Sequence, residues 1–373
     1  MTKIEWTDRT WNPVTGCTKV SPGCDNCYAE NIARRFAGSK AFPAGFDVTL
    51  HEDRIDQPYR WRKPARVFVN SMSDPFHQDV PDLFITKVFD VMEANPQHTF
   101  QVLTKRHARM RSFVQQREQY GREYAAKFDD CPTEAMRNSP AAQDARARAA
   151  RPPANIWLGV SVENQKWADI RIPALLNTPA AVRFLSCEPL LGPVDLKQAV
   201  RTMGSERGHG LTASFVHAGD CCRKFHGIDW VITGGESGHG ARAVHPTWVR
   251  SLRDQCQQAE VPFFFKQWGE WGPADFIVRV CDPDAGWKGT AEELAAAKAD
   301  SEARGATHVH TGNWFEEDGE QQYWLHEIGH KPWSLERVGL PEGTAAIRRW
   351  GKKGAGRELD GRTWDEFPKV VSA

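Results

Sequence analysis

At 373 residues the chain is long enough for one barrel-sized core with a small appended unit. Lys plus Arg and Asp plus Glu both number 48, so net charge selects neither nucleic acid nor an anionic membrane surface as partner. No apolar run approaches the length of a membrane span, and Met1 to Asp8 carry no apolar signal core. With nine cysteines, this predicts a reducing cytoplasmic setting, where grouped cysteines bind metal more often than they form disulfides.

The first informative stretch is Thr15-Gly16-Cys17-Thr18-Lys19-Val20-Ser21-Pro22-Gly23-Cys24-Asp25-Asn26-Cys27-Tyr28. A Cys24-x-x-Cys27 pair can grip one metal centre from a tight turn, and Cys17 can fold back to add a third thiolate. Thiolates select zinc or iron–sulfur clusters over hard cations. Structural zinc wants four protein ligands, and no fourth cysteine or histidine follows at the usual spacing. Three thiolates suit a four-iron cluster with one iron open to a ligand. A zinc site with a distant fourth ligand, and plain buried thiols, are the alternatives. Cys131, Cys187, Cys221, Cys222, Cys256 and Cys281 have no ligand spacing among themselves and read as ordinary thiols.

After the loop, residues 28–36 read as a helix that stops before Gly38. Six segments with one grammar follow, each a β-branched or aromatic run that breaks into polar residues at its C-terminal end. They begin at Val67, Thr99, Ile156, Val182, Trp230 and Pro262, and a seventh strand is expected before Cys17. Near-continuous apolar runs predict strands buried on both faces, the pattern of a parallel sheet. Between them lie helical stripes, one of Leu83, Phe84, Val88, Val91 and Met92 behind Pro81, another of Val249, Leu252 and Cys256 behind Pro246. The alternation predicts an α/β fold, a partial or full parallel βα-barrel of the TIM-like kind, because polar clusters end every strand and not just one switch point.

Residues 121–153 depart from this grammar, being Ala/Arg-rich with few large apolar residues. They read as an exposed, basic, helical or partly disordered insertion in a barrel domain spanning 1–272. A small α+β extension is expected over 273–335, with a capping box at Thr290-Ala291-Glu292-Glu293 and a hairpin about Asp318-Gly319. Residues 336–373 read as a basic, Gly-rich tail. His326-Glu327-Ile328-Gly329-His330 matches the zinc-protease signature, which requires both histidines on one helix face. The preceding residues read instead as a hairpin strand, and Pro332 would end a helix there.

Taken together, several motifs resemble the phage-associated three-cysteine-motif proteins, a family of unknown function that is similar to radical S-adenosylmethionine (SAM) barrels. The resemblance rests on Ile4-Glu5-Trp6-Thr7, Trp11-Asn12-Pro13-Val14-Thr15-Gly16-Cys17, Asn70-Ser71-Met72-Ser73-Asp74 and Gln101-Val102-Leu103-Thr104-Lys105-Arg106. Gly159-Val160-Ser161-Val162-Glu163-Asn164, Gly234-Gly235-Glu236-Ser237-Gly238 and Phe265-Lys266-Gln267-Trp268-Gly269 extend it. It implies that Cys17, Cys24 and Cys27 ligate a [4Fe-4S] cluster whose open iron chelates SAM. One-electron reduction by an external donor then gives a 5′-deoxyadenosyl radical that takes hydrogen from a substrate, with nucleic acid or a nucleotide among the candidates. The spacing departs from the common motif, with six residues between Cys17 and Cys24, and with Tyr28 one place beyond the usual aromatic position.

The resemblance further places Tyr28, Ser71, Ser73 and Asp74 at the SAM side, with Asp74 facing the ammonium. Ser161, Glu163 and Asn164 would reach the ribose hydroxyls. Lys105, Arg106, Glu188, Glu236, Lys266 and Gln267 would face the substrate, with Lys105, Glu188, Glu236 and Lys266 as the catalytic candidates. For each of these the alternative is a helix cap or a rim salt bridge. Two other classes stay open: a zinc hydrolase using His326, Glu327 and His330, and a non-catalytic module binding nucleic acid or a partner through its basic segments.

Overall fold

A computed structural model describes residues 4–201, 227–238, 240–273, 311–315, 321–325, 345–349 and 351–368 of the chain. In chain order its first part runs β1 (Arg9–Trp11), β2 (Val14–Thr15), α1 (Tyr28–Arg35), β3 (Thr49–Leu50), β4 (Arg66–Val69), α2 (Asp82–Glu93) and β5 (Thr99–Thr104). It continues with α3 (His107–Ala126), α4 (Glu134–Arg137), α5 (Pro140–Ala150), β6 (Ile156–Ser161), α6 (Gln165–Leu176) and β7 (Val182–Cys187). Then come α7 (Leu196–Arg201), β8 (Trp230–Gly234), α8 (Pro246–Gln258) and β9 (Phe263–Gln267). The seven expected strands form one parallel sheet in the order β1-β4-β5-β6-β7-β8-β9, curled into a half-barrel with helices around it. Of the partial and full barrels the sequence allowed, the partial one forms, with β1 and β9 as its two ends.

Strand alternation divides the side chains between two cores. Trp11, Val67, Val69, Phe100, Val102, Leu158, Val160, Leu185, Val231, Phe263 and Phe265 face outward and pack with the helices. Phe68, Trp157, Val182, Phe184, Trp230, Ile232 and Phe264 point into the hollow, where Trp6 joins them. The inner core is aromatic, with Trp6 4.6 Å from Phe68 and Trp230 6.0 Å from Trp157 between ring centroids. Gly159 makes room in it: a Cβ there would sit 2.5 Å from the Phe184 ring. This layer fills the floor of the hollow, so polar side chains gather only above it, at the C-terminal ends of the strands.

The α8 stripe of Val249, Leu252 and Cys256 is buried as expected. In α2 the buried face is Phe84, Ile85, Val88, Phe89, Val91 and Met92, while Leu83 is exposed because it lies off that arc. The basic insertion is helical. It lengthens α3 and returns as α5, which packs against α3. Its fully buried apolar side chains are the alanines at 125, 142 and 145. Replacing residues 121–151 with a short Gly/Ser bridge is therefore expected to leave the half-barrel soluble, with its melting temperature lowered by no more than a few degrees. Aggregation of that variant would show that the insertion supports the sheet.

Beyond β9 the chain forms β10 (Trp271–Pro273), β11 (Thr311–Phe315), β12 (Gln321–Leu325) and β13 (Ala345–Arg349), an antiparallel sheet ordered β10-β13-β11-β12. The expected hairpin is present as β11 and β12, with Phe315 opposite Gln321. Its turn, the capping-box segment, His326, Glu327 and His330, and Cys221, Cys222 and Cys281 lie outside the described residues. The end of the chain returns to the half-barrel. Leu359 and Trp364 join the outer core, Asp365 bridges to Phe264 on β9, and Trp230 Nε1 donates to the Glu366 carbonyl (2.8 Å). Among the described residues no helix is long and apolar enough to cross a membrane.

Candidate functional site

The cysteine loop leaves β1 and β2 and crosses the C-terminal rim of the sheet, moored beside each thiol to a different strand end. Next to Cys17, Thr18 hydrogen-bonds through Oγ1 to His77 Nε2 (2.8 Å) and accepts from Arg106 Nη2 (2.7 Å), beyond β4 and β5 respectively. Before Cys24, Ser21 Oγ donates to Glu163 Oε1 (2.6 Å), beyond β6. Gly23 lies so close that a Cβ on it would be 2.6 Å from Glu163 Cγ. Before Cys27, Asn26 Nδ2 donates to Glu236 Oε2 (2.9 Å), beyond β8. Arg242 completes that mooring, pairing with Glu236 while donating to the Pro22 carbonyl (2.8 Å) and to Asp25 (3.2 Å). After Cys27, the Tyr28 hydroxyl donates to the Ser71 carbonyl (2.5 Å) beyond β4.

Two of the expected substrate-side or nucleotide-side carboxylates thus hold the loop. Glu163 is fully buried against the equally buried Arg171, Nη1 to Oε2 2.8 Å, with Lys105 Nζ 3.8 Å from its other oxygen. Burial pulls the Arg171 guanidinium below its usual range against the pull of Glu163. Burial raises the Glu236 carboxyl, but the hydrogen bonds from Arg242 and Asn26 outweigh it and hold the group below the usual carboxylate range. A depressed carboxyl contributes stability above its unfolded value, near 4.5, and loses it as pH falls through the folded value. Glu236→Gln is therefore expected to be less stable than the parent at neutral pH, with the difference vanishing in acid. Denaturant titrations at a series of pH values check this, and a pH-independent difference would contradict it.

The other expected residues are placed as follows. Asp74 is buried and accepts from Thr104 Oγ1 (2.8 Å), the Phe76 amide (2.9 Å) and the Lys105 amide (3.0 Å), so its carboxylate ties the β4 and β5 ends together. Ser71 Oγ donates to Asn12 Oδ1 and Ser73 Oγ to the Val14 carbonyl. Asn164 caps α6, accepting from the Trp167 amide (3.3 Å). Ser161 Oγ accepts from Lys105 Nζ (3.2 Å), and Gln267 Nε2 donates to Ser237 Oγ (2.9 Å). Lys266 Nζ lies 3.0 Å from Glu188 Oε1, and the carboxylate rests over Gly234, where a Cβ would be 2.7 Å from it. This pair, partly exposed at the mouth, makes no hydrogen bond to the cysteine loop among the described residues. His77, Arg171, Arg242, Ser21 and Asn26 are the site residues that sequence reasoning missed.

Cys17, Cys24 and Cys27 are free thiols of intermediate exposure. Burial, and after it the Asp74 carboxylate, push the Cys17 thiol up to about 11, so ligation there must release a proton. Among the described residues no three His, Cys, Asp or Glu side chains are gathered closely enough to hold a metal ion, so the loop brings the thiols to one rim without converging them. By donor type and location the set fits an iron–sulfur cluster: three free thiols from one moored loop, above a hollow lined by lysines and carboxylates.

These features define a half-barrel α/β protein with a thiol-bearing loop roofing its C-terminal rim. The chain belongs to DUF5131, a family described as proteins of unknown function, which matches residues 1–368. No curated protein and no solved structure matches it.

Proposed function

We propose that the chain is an iron–sulfur, SAM-dependent radical enzyme of the radical SAM barrel type, working in a reducing cytoplasm. The observation that carries the reading is the position of Cys17, Cys24 and Cys27, free thiols in the loop that follows the first strand of a parallel half-barrel and crosses its C-terminal rim. That rim is where side chains from successive strands converge in βα-barrels. The three thiols would hold the cluster, which when reduced supplies the electron that cleaves SAM and starts hydrogen abstraction.

The chain's own residues then divide their work. Glu163, Glu236, Arg242, Arg106 and His77 fix the loop through its own residues Thr18, Ser21, Asn26 and Asp25, so the thiols need little further ordering. Lys105 and the Glu188–Lys266 pair stand over the aromatic floor, where they would orient a polar substrate and hold or move a proton at Glu188 Oε1 or Lys266 Nζ. The floor itself excludes water from below. The test is anaerobic reconstitution with iron and sulfide, followed by dithionite and SAM. The proposal expects a coloured protein that forms 5′-deoxyadenosine; a colourless protein that retains zinc and forms none would overturn it.

A further inference from the structure

The helix that follows the thiol loop is oddly dressed. On α1, Ala29 and Ala33 are buried, whereas Tyr28 is 49%, Ile32 38% and Phe36, just past its end, 51% exposed. These three large side chains are four residues apart and line one stripe, about 12 Å long at the helical rise. The stripe starts at the residue after Cys27 and runs away from the loop. Basic groups surround it. Arg35 flanks it with its guanidinium over the Phe36 ring (5.7 Å), and Lys19 and Arg34 share the single carboxylate of Glu30. Arg35 and Lys40 make no ion pair among the described residues.

We infer that this stripe and its basic collar are the docking surface for a small acidic one-electron carrier protein, an inference that rests on the iron–sulfur reading above. Tyr, Phe and Arg are the side chains enriched at interface centres. Unbalanced cations around an apolar patch steer an acidic partner and make its binding sensitive to salt. Three apolar side chains fall well short of the area a stable dimer buries, but they suit the small contact of a transient redox encounter. The stripe also abuts Cys27, so a carrier seated there delivers its electron beside the loop. The step balances simply: the carrier is oxidised by one electron and the cluster reduced by one, with no bond made or broken.

The experiment uses reduced flavodoxin as the acidic carrier and the reconstituted chain, compared with Ile32→Glu/Phe36→Glu and, separately, Arg35→Glu. Flavodoxin affinity is measured by calorimetry at low and high salt. 5′-Deoxyadenosine formation is followed with flavodoxin or with dithionite as reductant, and mass by light scattering. The parent is expected to bind flavodoxin, with affinity falling about tenfold or more in either variant and at high salt. Dithionite-supported turnover should be unchanged. Equal flavodoxin affinity in parent and variants, or none in the parent, overturns the surface. A parent dimer that the variants dissociate also overturns it, since the stripe then joins two copies. If dithionite yields no 5′-deoxyadenosine while the variants still lose flavodoxin, the radical reading falls and the docking surface stands.

Discussion

Arg171→Met is expected to destabilise the protein by about 3–5 kcal/mol, the usual cost of leaving a buried charge without its partner. Arg171 and Glu163 are both fully buried, and the guanidinium also donates to the Ser161 carbonyl (2.9 Å) and stacks 4.0 Å over the Trp167 ring. Removing it strands the Glu163 carboxylate beneath the cysteine loop, with Lys105 at 3.8 Å and the Ser21 hydroxyl as its remaining partners. The double variant Arg171→Met/Glu163→Gln removes both charges and keeps an acceptor for Ser21. It should recover most of the loss, because a pair replaced by neutral groups of similar size is often nearly neutral in stability. Equilibrium denaturation of the three proteins decides the matter. A single variant within about 1 kcal/mol of the parent would mean that Arg171 does not hold Glu163.

Gly16→Ala should be nearly as damaging and should act on the loop first. Gly16 has φ of +86°, its amide donates to the Met72 carbonyl (3.0 Å), and a Cβ on it would overlap the Asp47 carbonyl oxygen. Left-handed backbone costs a non-glycine residue about 1–2 kcal/mol. Displacing the Asp47 backbone adds to that, for a total of about 3 kcal/mol. Because Gly16 sets the direction in which the chain enters Cys17, maleimide labelling at Cys17 should quicken more than the loss of global stability explains. Labelling and stability that both match the parent would show that the turn has another support.

The sheet was legible because each strand is an apolar run ending in polar residues, a pattern that survives without any knowledge of partners. Phe68, Trp157 and Phe264 are readable as strand residues, but only the curvature of the sheet places them in one inner core. The half-barrel's last edge was hidden, because the return of Trp364 and Asp365 to β9 depends on contacts across a hundred residues of sequence. So was β13, whose Ala345-Ala346-Ile347-Arg348-Arg349 carries little alternation and pairs with β10 and β11 through its backbone. At the site, residue types at strand ends were readable while their partners were not. Glu163, Asn164 and Glu236 are polar residues at strand ends in the sequence, but a moored carboxylate, a helix cap and a loop clasp in the structure. One signal was available and passed over. Ala168, Arg171, Ile172 and Leu175 keep helical core spacing with an arginine at a core position, which marks a buried charge in need of a partner. Nothing near Arg242 in the sequence points to its mooring role.

The central claim is that three thiols of one loop hold a cluster, and metal analysis of single cysteine variants tests it most directly. Cys187 on β7 and Cys256 on α8 are fully buried in the outer core, and burial raises both thiols far above their ordinary range. They are inert packing groups, so alanine at either should cost modest stability and leave iron and sulfide at about four each per chain after anaerobic reconstitution. Alanine at Cys17, Cys24 or Cys27 leaves two thiolates and should yield protein that folds but retains little iron. Iron lost on replacing Cys187 or Cys256, with iron kept on replacing a loop cysteine, would place the metal elsewhere and contradict the account.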